Sequence, residues 1–477
     1  MQSGERFLEL WMMKECGHLN TLVRIQLDYR VAPQCPALNP FGFHPMAIHP
    51  ADIPCFLMLE VQKTRDNNKM ASDSSNCSDH GCLPPELITD ILFQLPVKSL
   101  GRFKSVCKSW NSLISTHNFA KSHVQFQISS TSNNPSALTS VLLISPHPGF
   151  VLSCDLKLLN GHSFDAAIDA GLISPLKLGF PLPSSTTFPP LGSCCGLVCI
   201  VETMSMTANS KTLCVFNPTT KEFRYIPFPN TEDYWPARHW ASGLGFVPSF
   251  DDYKIVLLKQ TVTFIANDRV YHNTADVFSL RDGQWKVLDS SNSNLDASLG
   301  GAYLHTRSPA VWSNEALYWV VPSFPVGPLG SFFILEFNLA KERFSRAANV
   351  EHIRDADDRI MYDLQNLSIG VIAQKHVCVG QIYSMQSGEQ FLEMWMMKKF
   401  GELNRLFILQ LGSDITRRNL RLLGFTPNGL VWLVSAAPGR QEILLLDPSQ
   451  NRPAYVLFAE KYVHHVMSYT PSLLSPS

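Results

Sequence analysis

The hydrophobic pattern of the chain changes its period near residue 125. Between residues 83 and 125, apolar side chains recur at intervals of three and four, which is the period of an amphipathic helix. Pro84 and Pro85 suit a first helical turn, and Pro96 ends that helix. Ser99 is the predicted N-cap of the next helix. The pattern therefore predicts a module of two or three short helices.

After residue 125, short apolar runs alternate with Gly, Pro, Asn, Asp and Ser, which predicts strands and turns. A strand, a polar turn and a second strand recur about every 50 to 60 residues, starting near residues 215, 277, 336, 393 and 445. Strand pairs at this period predict the blades of a β-propeller, whose radial closure leaves few exposed sheet edges. We expect about five blades, or six if residues 126–190 contribute one. A two-sheet β-sandwich is the alternative fold.

The first 27 residues are a near copy of a later segment. Residues 1–27 align without gaps to residues 385–411, with 18 identical positions. We interpret residues 1–69 as a degraded duplicate of segment 385–447, and we expect the functional protein to begin near Met70. In the alternative interpretation, the copy adds strands to the C-terminal domain.

These patterns together predict an α+β multidomain chain in which a small all-α module precedes an all-β domain. The module is followed by a connecting region that could hold part of a blade. The expected divisions are residues 70–82 for a disordered polar linker, 83–125 for the helical module, 126–190 for the connecting region, 191–460 for the β domain and 461–477 for a flexible tail.

Composition narrows the function classes. The 39 basic and 40 acidic residues nearly cancel, so no long-range attraction to nucleic acid or to an anionic membrane is expected. No stretch approaches the ~18 apolar residues that span a bilayer. The 12 cysteines are too dilute for a disulfide scaffold, and we expect reduced thiols. The chain is predicted to be soluble and intracellular, in the cytoplasm, the nucleus or both.

The helical module carries a family-specific motif. Residues 83–114 read LPPELITDILFQLPVKSLGRFKSVCKSWNSLI, and this string resembles the plant F-box motif over nearly its whole length. In that family the motif binds a Skp-type adaptor, which in turn joins a cullin and a RING subunit. By this resemblance, the expected adaptor contacts are Leu83, Pro84, Ile88, Leu92, Leu95, Pro96, Val97, Leu100 and Val106. The residues expected to hold the helices together are Leu87, Ile91, Phe103, Trp110 and Ile114.

Two further features of the module bear on its partner. Gly101 stands where the family usually carries a bulkier apolar residue, which should cost about 1 kcal/mol of helix propensity without abolishing docking. The segment also has a net charge near +3, which implies an acidic partner or, in the simpler interpretation, a solvated basic face. The charged residues are Lys98, Arg102, Lys104, Lys108 and Lys121 against Glu86 and Asp90.

The β domain resembles the plant F-box-associated domain, which is similar to Kelch repeats. The matching strings occur in the family's order: GSCCGL at 192–197, NPTT at 217–220, GLGF at 243–246, DYK at 252–254 and VFSL at 277–280. In this family the domain selects the substrate. The resemblance therefore implies the substrate-recognition subunit of an SCF-type ubiquitin ligase, which holds a target near activated ubiquitin.

No catalytic motif is present in the sequence, and no cofactor is expected. The chain lacks a GxSxG elbow and a phosphate-binding GxxxxGK, and Gly243 with Gly245 lacks the third glycine of a dinucleotide site. We expect Cys194, Cys195 and Cys199 to be buried apolar residues and not metal ligands. The alternative function is a stand-alone propeller that binds a protein or a glycan while its F-box is unused.

One loop of the β domain is rich in the side chains that dominate binding hot spots. The substrate-contact candidates are Tyr234, Trp235, Arg238 and Trp240. The simpler interpretation of these rings is that they cap the edge of a blade.

Overall fold

The computed structural model has four helices between residues 85 and 133. They are α1 (Pro85–Phe93), α2 (Val97–Phe103), α3 (Lys108–Ile114) and α4 (His117–Asn133). Pro96, and not Ser99, is the N-cap of α2, because its backbone is extended and its carbonyl accepts the N–H of Leu100 at 3.1 Å. The last helix passes the predicted end at residue 125, since no glycine or proline occurs before Pro135.

The structure describes part of the chain, which divides into two units, residues 1–106 and 107–477. The described residues are 7–14, 18–26, 57–61, 85–133, 140–145, 150–155, 173–175, 190–203, 211–229, 239–265, 268–304, 309–324, 326, 330–350, 360–372, 375–411, 419–426, 429–437, 440–449, 452–459 and 465–476.

The first unit contains a small antiparallel sheet in addition to α1 and α2. Its strands are β1 (Phe7–Lys14), β2 (His18–Gln26) and β3 (Leu57–Val61), in the order β2-β1-β3. The described strands of the duplicated segment therefore pair with one another in a sheet of their own.

The second unit contains six four-stranded antiparallel sheets among its described residues, which we number as blades. Blade 1 contains β4 (Ser140–Ser145), β5 (Phe150–Asp155) and β6 (Ile173–Pro175). Blade 2 contains β7 (Pro190–Cys194), β8 (Leu197–Thr203), β9 (Lys211–Phe216) and β10 (Phe223–Pro227). Blade 3 contains β11 (His239–Val247), β12 (Asp252–Ile265), β13 (Asp268–Ser279) and β14 (Gln284–Leu288).

The remaining blades follow in chain order, after two short helices, α5 (Ser290–Ser293) and α6 (Leu295–Leu299). Blade 4 contains β15 (Val311–Ser313), β16 (Ala316–Pro322), β17 (Phe332–Asn338) and β18 (Arg343–Val350). Blade 5 contains β19 (Ile360–Ile372), β20 (His376–Met385), β21 (Gln390–Lys399) and β22 (Glu402–Gln410). Blade 6 contains β23 (Asn419–Phe425), β24 (Val431–Ala437), β25 (Arg440–Asp447) and β26 (Arg452–Ala459).

The last strand, β27 (His465–Tyr469), completes blade 1 by pairing with β4, in the order β27-β4-β5-β6. The innermost strands contact one another around the ring, from β7 through β11, β15, β19, β23 and β27 back to β7. This closure confirms the predicted β-propeller and excludes the two-sheet sandwich. Residues 126–190 do contribute a blade, because they contain β4 to β6, the three outer strands of blade 1.

The expected flexible tail, residues 461–477, is wrong for its described part. Residues 465–469 form β27, and Leu474 is buried in the cluster of apolar side chains around blades 2 and 3. The Asn217 side-chain amide donates to the carbonyls of Ser472 at 3.0 Å and Leu474 at 2.7 Å. The described residues of the tail are held in place because β27 closes the ring, and Ser472 and Leu474 beyond that strand lie against blade 2.

Two glycines of the GLGF string allow neighbouring blades to pack closely. A Cβ atom on Gly245 would lie 2.5 Å from Leu339 Cδ1, and one on Gly243 would lie 2.7 Å from the Ala310 Cβ. Next to them, the indole N–H of buried Trp319 donates to the Ser242 carbonyl at 2.9 Å. These glycines therefore have a packing role between blades 3 and 4.

Replacing Gly245 with alanine should destabilise the propeller by about 1–3 kcal/mol, because the added methyl group overpacks the contact with Leu339. Thermal unfolding of the full chain measures the effect. The control is Gly101→Ala at an exposed position of α2, where an added Cβ meets nothing within 4 Å. If both variants leave the propeller transition unchanged, the close approach at Gly245 has no energetic role.

A cluster of three charges also joins blades 3 and 4. Glu342 in the turn before β18 accepts a hydrogen bond from Lys254 at 2.9 Å and another from Lys286. Burial by itself would raise the pKa of Glu342, but these two bonds and the lysine charges hold it below its ordinary value. A carboxylate with a depressed pKa contributes stability above its unfolded-state pKa, and this contribution is lost as the pH falls through the folded-state pKa.

The variant Glu342→Gln is expected to be about 1–2 kcal/mol less stable than the unmodified chain at pH 7, since it loses charge-assisted hydrogen bonds. The difference should shrink as the pH is lowered from 7 toward 3, because protonation of Glu342 removes the same charge-assisted bonds. Denaturant unfolding at the two pH values measures it. A difference that does not depend on pH would contradict the assignment.

Candidate protein-binding surfaces

The helices α1 and α2 bury part of their apolar stripe inside the chain. Leu92, Leu95 and Leu100 have no exposed surface, and Val97 is 5% exposed. These four side chains are packing positions in the structure, and their contact with an adaptor stays a prediction.

Other predicted adaptor contacts do reach the surface. Pro96 is exposed, whereas Ile88 and Val106 are half-buried. Leu83 and Pro84 lie outside the described residues. Of the residues expected to hold the helices together, Ile114 is buried, and the others, Leu87, Ile91, Phe103 and Trp110, are half-buried. The apolar surface that remains accessible therefore mixes members of both predicted sets.

The start of α3 is capped by Cys107. Its sulfur accepts the N–H of Trp110 at 3.5 Å and lies 3.1 Å from the Ser109 hydroxyl. A cap of this kind satisfies one of the free N–H groups of the first turn. The VCKSW string of the motif thus contains its own helix-start signal, which the sequence analysis did not identify.

Helix α4 packs into the core of the propeller. Ala120 and Val124, one helical turn apart, are both 3% exposed, and they belong to the same cluster as Leu197, Leu244 and Leu474. The 3.6-residue period places both side chains on one face of the helix. The face that they share is therefore held by blades 2 and 3 and by the C-terminal tail.

A charged contact lies beside this apolar one. Asp251, in the turn between β11 and β12, is 2.8 Å from Lys121 Nζ and 3.5 Å from His117 Nε2. Lys121 also lies over the Phe246 ring, 5.6 Å from its centroid. The hydrogen bond and charge of Lys121, together with His117, hold the pKa of Asp251 below its ordinary value against the effect of burial. Lys121 therefore belongs to the helix–propeller contact, which reduces the free positive charge predicted for this segment.

The strand order defines two ends of the propeller. Because the strands of a blade are antiparallel, the turn after a first strand and the turn after a third strand lie at the same end. Helix α4 contacts the end that carries the β11–β12 turn with Asp251. The β12–β13 turn and the connections between blades lie at the opposite end, which we call the far end.

Three aromatic rings come together at the far end. Tyr271 of β13 and Tyr303 have ring centroids 5.3 Å apart, and Tyr303 and Phe324 are 5.6 Å apart. Phe324 is 40% exposed, and the nearby Val326 is 60% exposed. Exposed aromatic side chains on a rigid scaffold are typical of protein-binding surfaces. No local sequence pattern indicates this cluster, because its rings come from three separate segments.

A buried polar network supports the aromatic cluster. The amide nitrogen of Gln260 donates to Asn273 Oδ1 and to the Ala302 carbonyl, both at 3.0 Å. The backbone N–H of Leu304 donates to Gln260 Oε1 at 2.9 Å, and Asn273 donates to Asp296 at 2.8 Å. These bonds fix the residues on either side of Tyr303 against blade 3, so the ring has a defined position.

One of the four predicted substrate contacts lies in a described strand of the same blade. Tyr234, Trp235 and Arg238 lie outside the described residues. Trp240 is in β11, where its backbone faces Lys259 of β12. Because β11 runs from the far end toward Asp251, Trp240 near the start of this strand lies toward the far end. The structure thus places Trp240 near that end but does not describe the other three candidates.

The described residues contain no group of three or more His, Cys, Asp or Glu positioned to hold a metal ion. Within the predicted cysteine cluster, Cys194 and Cys195 have sulfurs 3.7 Å apart, and Cys199 is buried. Burial is the largest cause that raises the pKa of the Cys194 and Cys199 thiols. Among the helices that the structure describes, none has the length and apolarity of a membrane span.

Comparison with known proteins covers both regions. Residues 81–122 match the F-box domain, and residues 183–431 match the F-box associated beta propeller domain. The chain is 27% identical over 329 residues to the Arabidopsis thaliana F-box protein CPR1, an alignment that covers 67% of this chain and 70% of that protein. It is also 27% identical over 325 residues to an F-box/kelch-repeat protein of the same plant, which covers 67% of this chain and 77% of the relative.

Replacing Val124 with aspartate should release α4 from the propeller, since a carboxylate without a partner is costly to bury. We expect amide hydrogen exchange in residues 117–127 to rise at least about tenfold. The matched control is Ser122→Asp, which adds the same charge at an exposed position of the same helix. Equal protection in the two variants would contradict the docking of α4.

Proposed function

Because the chain belongs to the F-box proteins that carry an F-box-associated β-propeller domain, we propose that it is the substrate-recognition subunit of an SCF-type ubiquitin ligase. In this function the F-box binds a Skp-type adaptor, which joins the chain to the cullin and RING subunits. The propeller binds a target protein. The chain performs no bond chemistry of its own and acts by position.

The observation that carries this proposal is the packing of α4 into the propeller. The F-box match extends to residue 122, so it includes Ala120 and Lys121, which contact the propeller core and Asp251. An apolar contact combined with an ion pair restricts rotation of the helix against the β domain. A target bound to the propeller would then be held at a defined place relative to the last F-box helix. This raises the effective concentration of its lysines near activated ubiquitin.

We propose that the adaptor contacts the part of the F-box that remains accessible. Pro96, Ile88 and Val106 are the predicted contacts with exposed surface, and Leu83 and Pro84 stay proposed contacts. Leu92, Leu95, Val97 and Leu100 also stay proposed contacts, although they are buried in the structure. Exposed Lys98 and Arg102 beside the accessible part favour an acidic partner surface.

We propose that the target binds at the far end of the propeller. Two features support this assignment: the aromatic cluster of Tyr271, Tyr303 and Phe324, and the polar network that fixes it. Tyr234, Trp235, Arg238 and Trp240 stay proposed contacts. The far end is opposite the end that α4 contacts, so a bound target and α4 would not compete for the same propeller surface.

The adaptor interaction can be tested with the full chain and a purified Skp-type adaptor. The double variant Ile88→Asp, Pro96→Ala should bind at least about tenfold more weakly, because it loses an apolar anchor and a turn residue at the proposed surface. Calorimetry or a pull-down measures this. The control is Gln94→Ala, an exposed change between the two sites.

The result of this experiment distinguishes the ligase function from the stand-alone binding function. Loss of binding by a variant whose propeller still melts at the normal temperature supports the ligase role. Failure of the unmodified, folded chain to bind the adaptor would refute it, and the far end would then belong to a stand-alone module for a protein or a glycan.

A further inference from the structure

The amino-terminal hairpin, β1 with β2, reproduces the outer hairpin of blade 5, β21 with β22. Phe7 pairs with Gln26 in the same register as Phe391 with Gln410. Both hairpins also have a register shift at the same place, between Leu10 and Trp11 in one and between Met394 and Trp395 in the other. The duplicated sequence therefore keeps a local structural irregularity as well as its residues.

The third strand of the small sheet extends this correspondence. In blade 5, β20 pairs with β21 on the side opposite β22. In the first unit, β3 pairs with β1 on the side opposite β2. Each hairpin therefore has an antiparallel neighbour along its first strand. Strand β3 pairs with Leu8 to Met12 of β1, and Ser384 to Val377 of β20 pair with β21.

The positions kept in the copy are the ones that blade 5 buries. Leu392, Trp395 and Met397 are at most 9% exposed, and their counterparts are Leu8, Trp11 and Met13. Met394, 1% exposed, becomes Leu10. Trp395 and Met397 pack with blade 4, and Leu392 and Met394 pack with blade 6. The copy therefore retains the side chains that fit between two blades.

The substitutions lie mainly where blade 5 is exposed. Phe400 is 61% exposed and Ile408 is 45% exposed, and they correspond to Cys16 and Arg24. Surface positions tolerate such changes because no packing contact depends on them. The copy can therefore differ at these positions and still fit blade 5.

A buried glutamate of blade 5 is conserved in the copy, but the arginine near it is at a different position. Glu393 is 3% exposed and accepts a hydrogen bond from Arg405 at 3.2 Å. The copy keeps this glutamate as Glu9, but Thr21 stands in place of the arginine. Arg24 is instead directly opposite Glu9 in the register, where blade 5 has Ile408 opposite Glu393. The copy thus carries its own cation for a glutamate that blade 5 buries, and an unpaired buried carboxylate would be costly.

We propose that residues 7–26 of one molecule exchange with the β21–β22 hairpin in blade 5 of a second copy of this chain, so that two molecules are joined by swapped hairpins. Exchange of nearly identical elements between protomers costs little, because the contacts that are lost are largely regained. The displaced β21–β22 hairpin has the residues to pair with β3. This association is independent of the ligase role.

The location of the copy favours it as the exchanging element. A long connection, residues 27–56, separates β2 from β3, whereas only residues 386–389 separate β20 from β21. The composition of residues 62–82, which precede the F-box, is polar and typical of interdomain linkers. A second chain offers the same blade 5 with the same neighbours.

A native cysteine allows the exchange to be trapped in the full chain. Cys378 of β20 is directly opposite Met396 of β21, whose counterpart in the copy is Met12. In the variant Met12→Cys, mild oxidation should link residue 12 of one molecule to Cys378 of another and give a covalent dimer identified by peptide mass spectrometry. The variant Met396→Cys is the positive control for the unexchanged blade. Met13→Cys is the negative control, because the next residue of a strand points to the other face.

A second measurement decides the question if oxidation at the buried Cys378 is slow. The molar mass of the unmodified chain in solution should rise with concentration toward that of a dimer. Leu8→Asp should lower the dimer fraction at least tenfold, since it corresponds to the fully buried Leu392. Arg6→Gln, which restores the residue found in blade 5, should leave the fraction unchanged or increase it. A mass that is monomeric at every concentration, or a link within one chain only, would overturn the proposal.

Discussion

The pairing of β27 with β4 is the contact on which the rest of the propeller depends. Each blade buries its two faces against its neighbours, so an open ring would leave two faces exposed. The strands that meet here come from opposite ends of the domain, and the entropic cost of joining distant segments grows only slowly with their separation. The Asn217 amide bonds to the Ser472 and Leu474 carbonyls continue this closure into the residues after the strand.

The same region also connects the two functional parts of the second unit. Leu474 lies in one apolar cluster with Ala120 and Val124 of α4, so the chain end, blade 2 and the F-box helix share a core. The ion pair of Asp251 with Lys121 lies at its edge and is half-exposed, and pairs of this kind add little stability alone. The ion pair instead contributes to the orientation of α4, because it restricts a rotation of the helix that apolar contact alone would restrict less.

Rigidity at the far end has a different origin. There the Tyr271, Tyr303 and Phe324 rings rest on a segment that Gln260 and Asn273 hold by buried amide bonds, all of them made within one blade and its connection. Buried polar networks with every member paired favour a single arrangement over a mobile one. A surface built this way would lose little conformational entropy if it bound a partner.

The sequence by itself determined the elements and their order: the helical period from residue 83, the repeated strand pairs, the F-box string and the copied hairpin, since each of these is a local pattern of side chains. Only the tertiary structure decided which parts of these patterns face inward. Leu92 and Leu100 are buried while Pro96 is exposed, Lys121 is paired with Asp251, and residues 465–469 close the ring. Tyr271, Tyr303 and Phe324 come from separate segments that the fold brings into contact. The physical reason is that burial and ring closure join residues far apart in the chain, and no local period records such contacts.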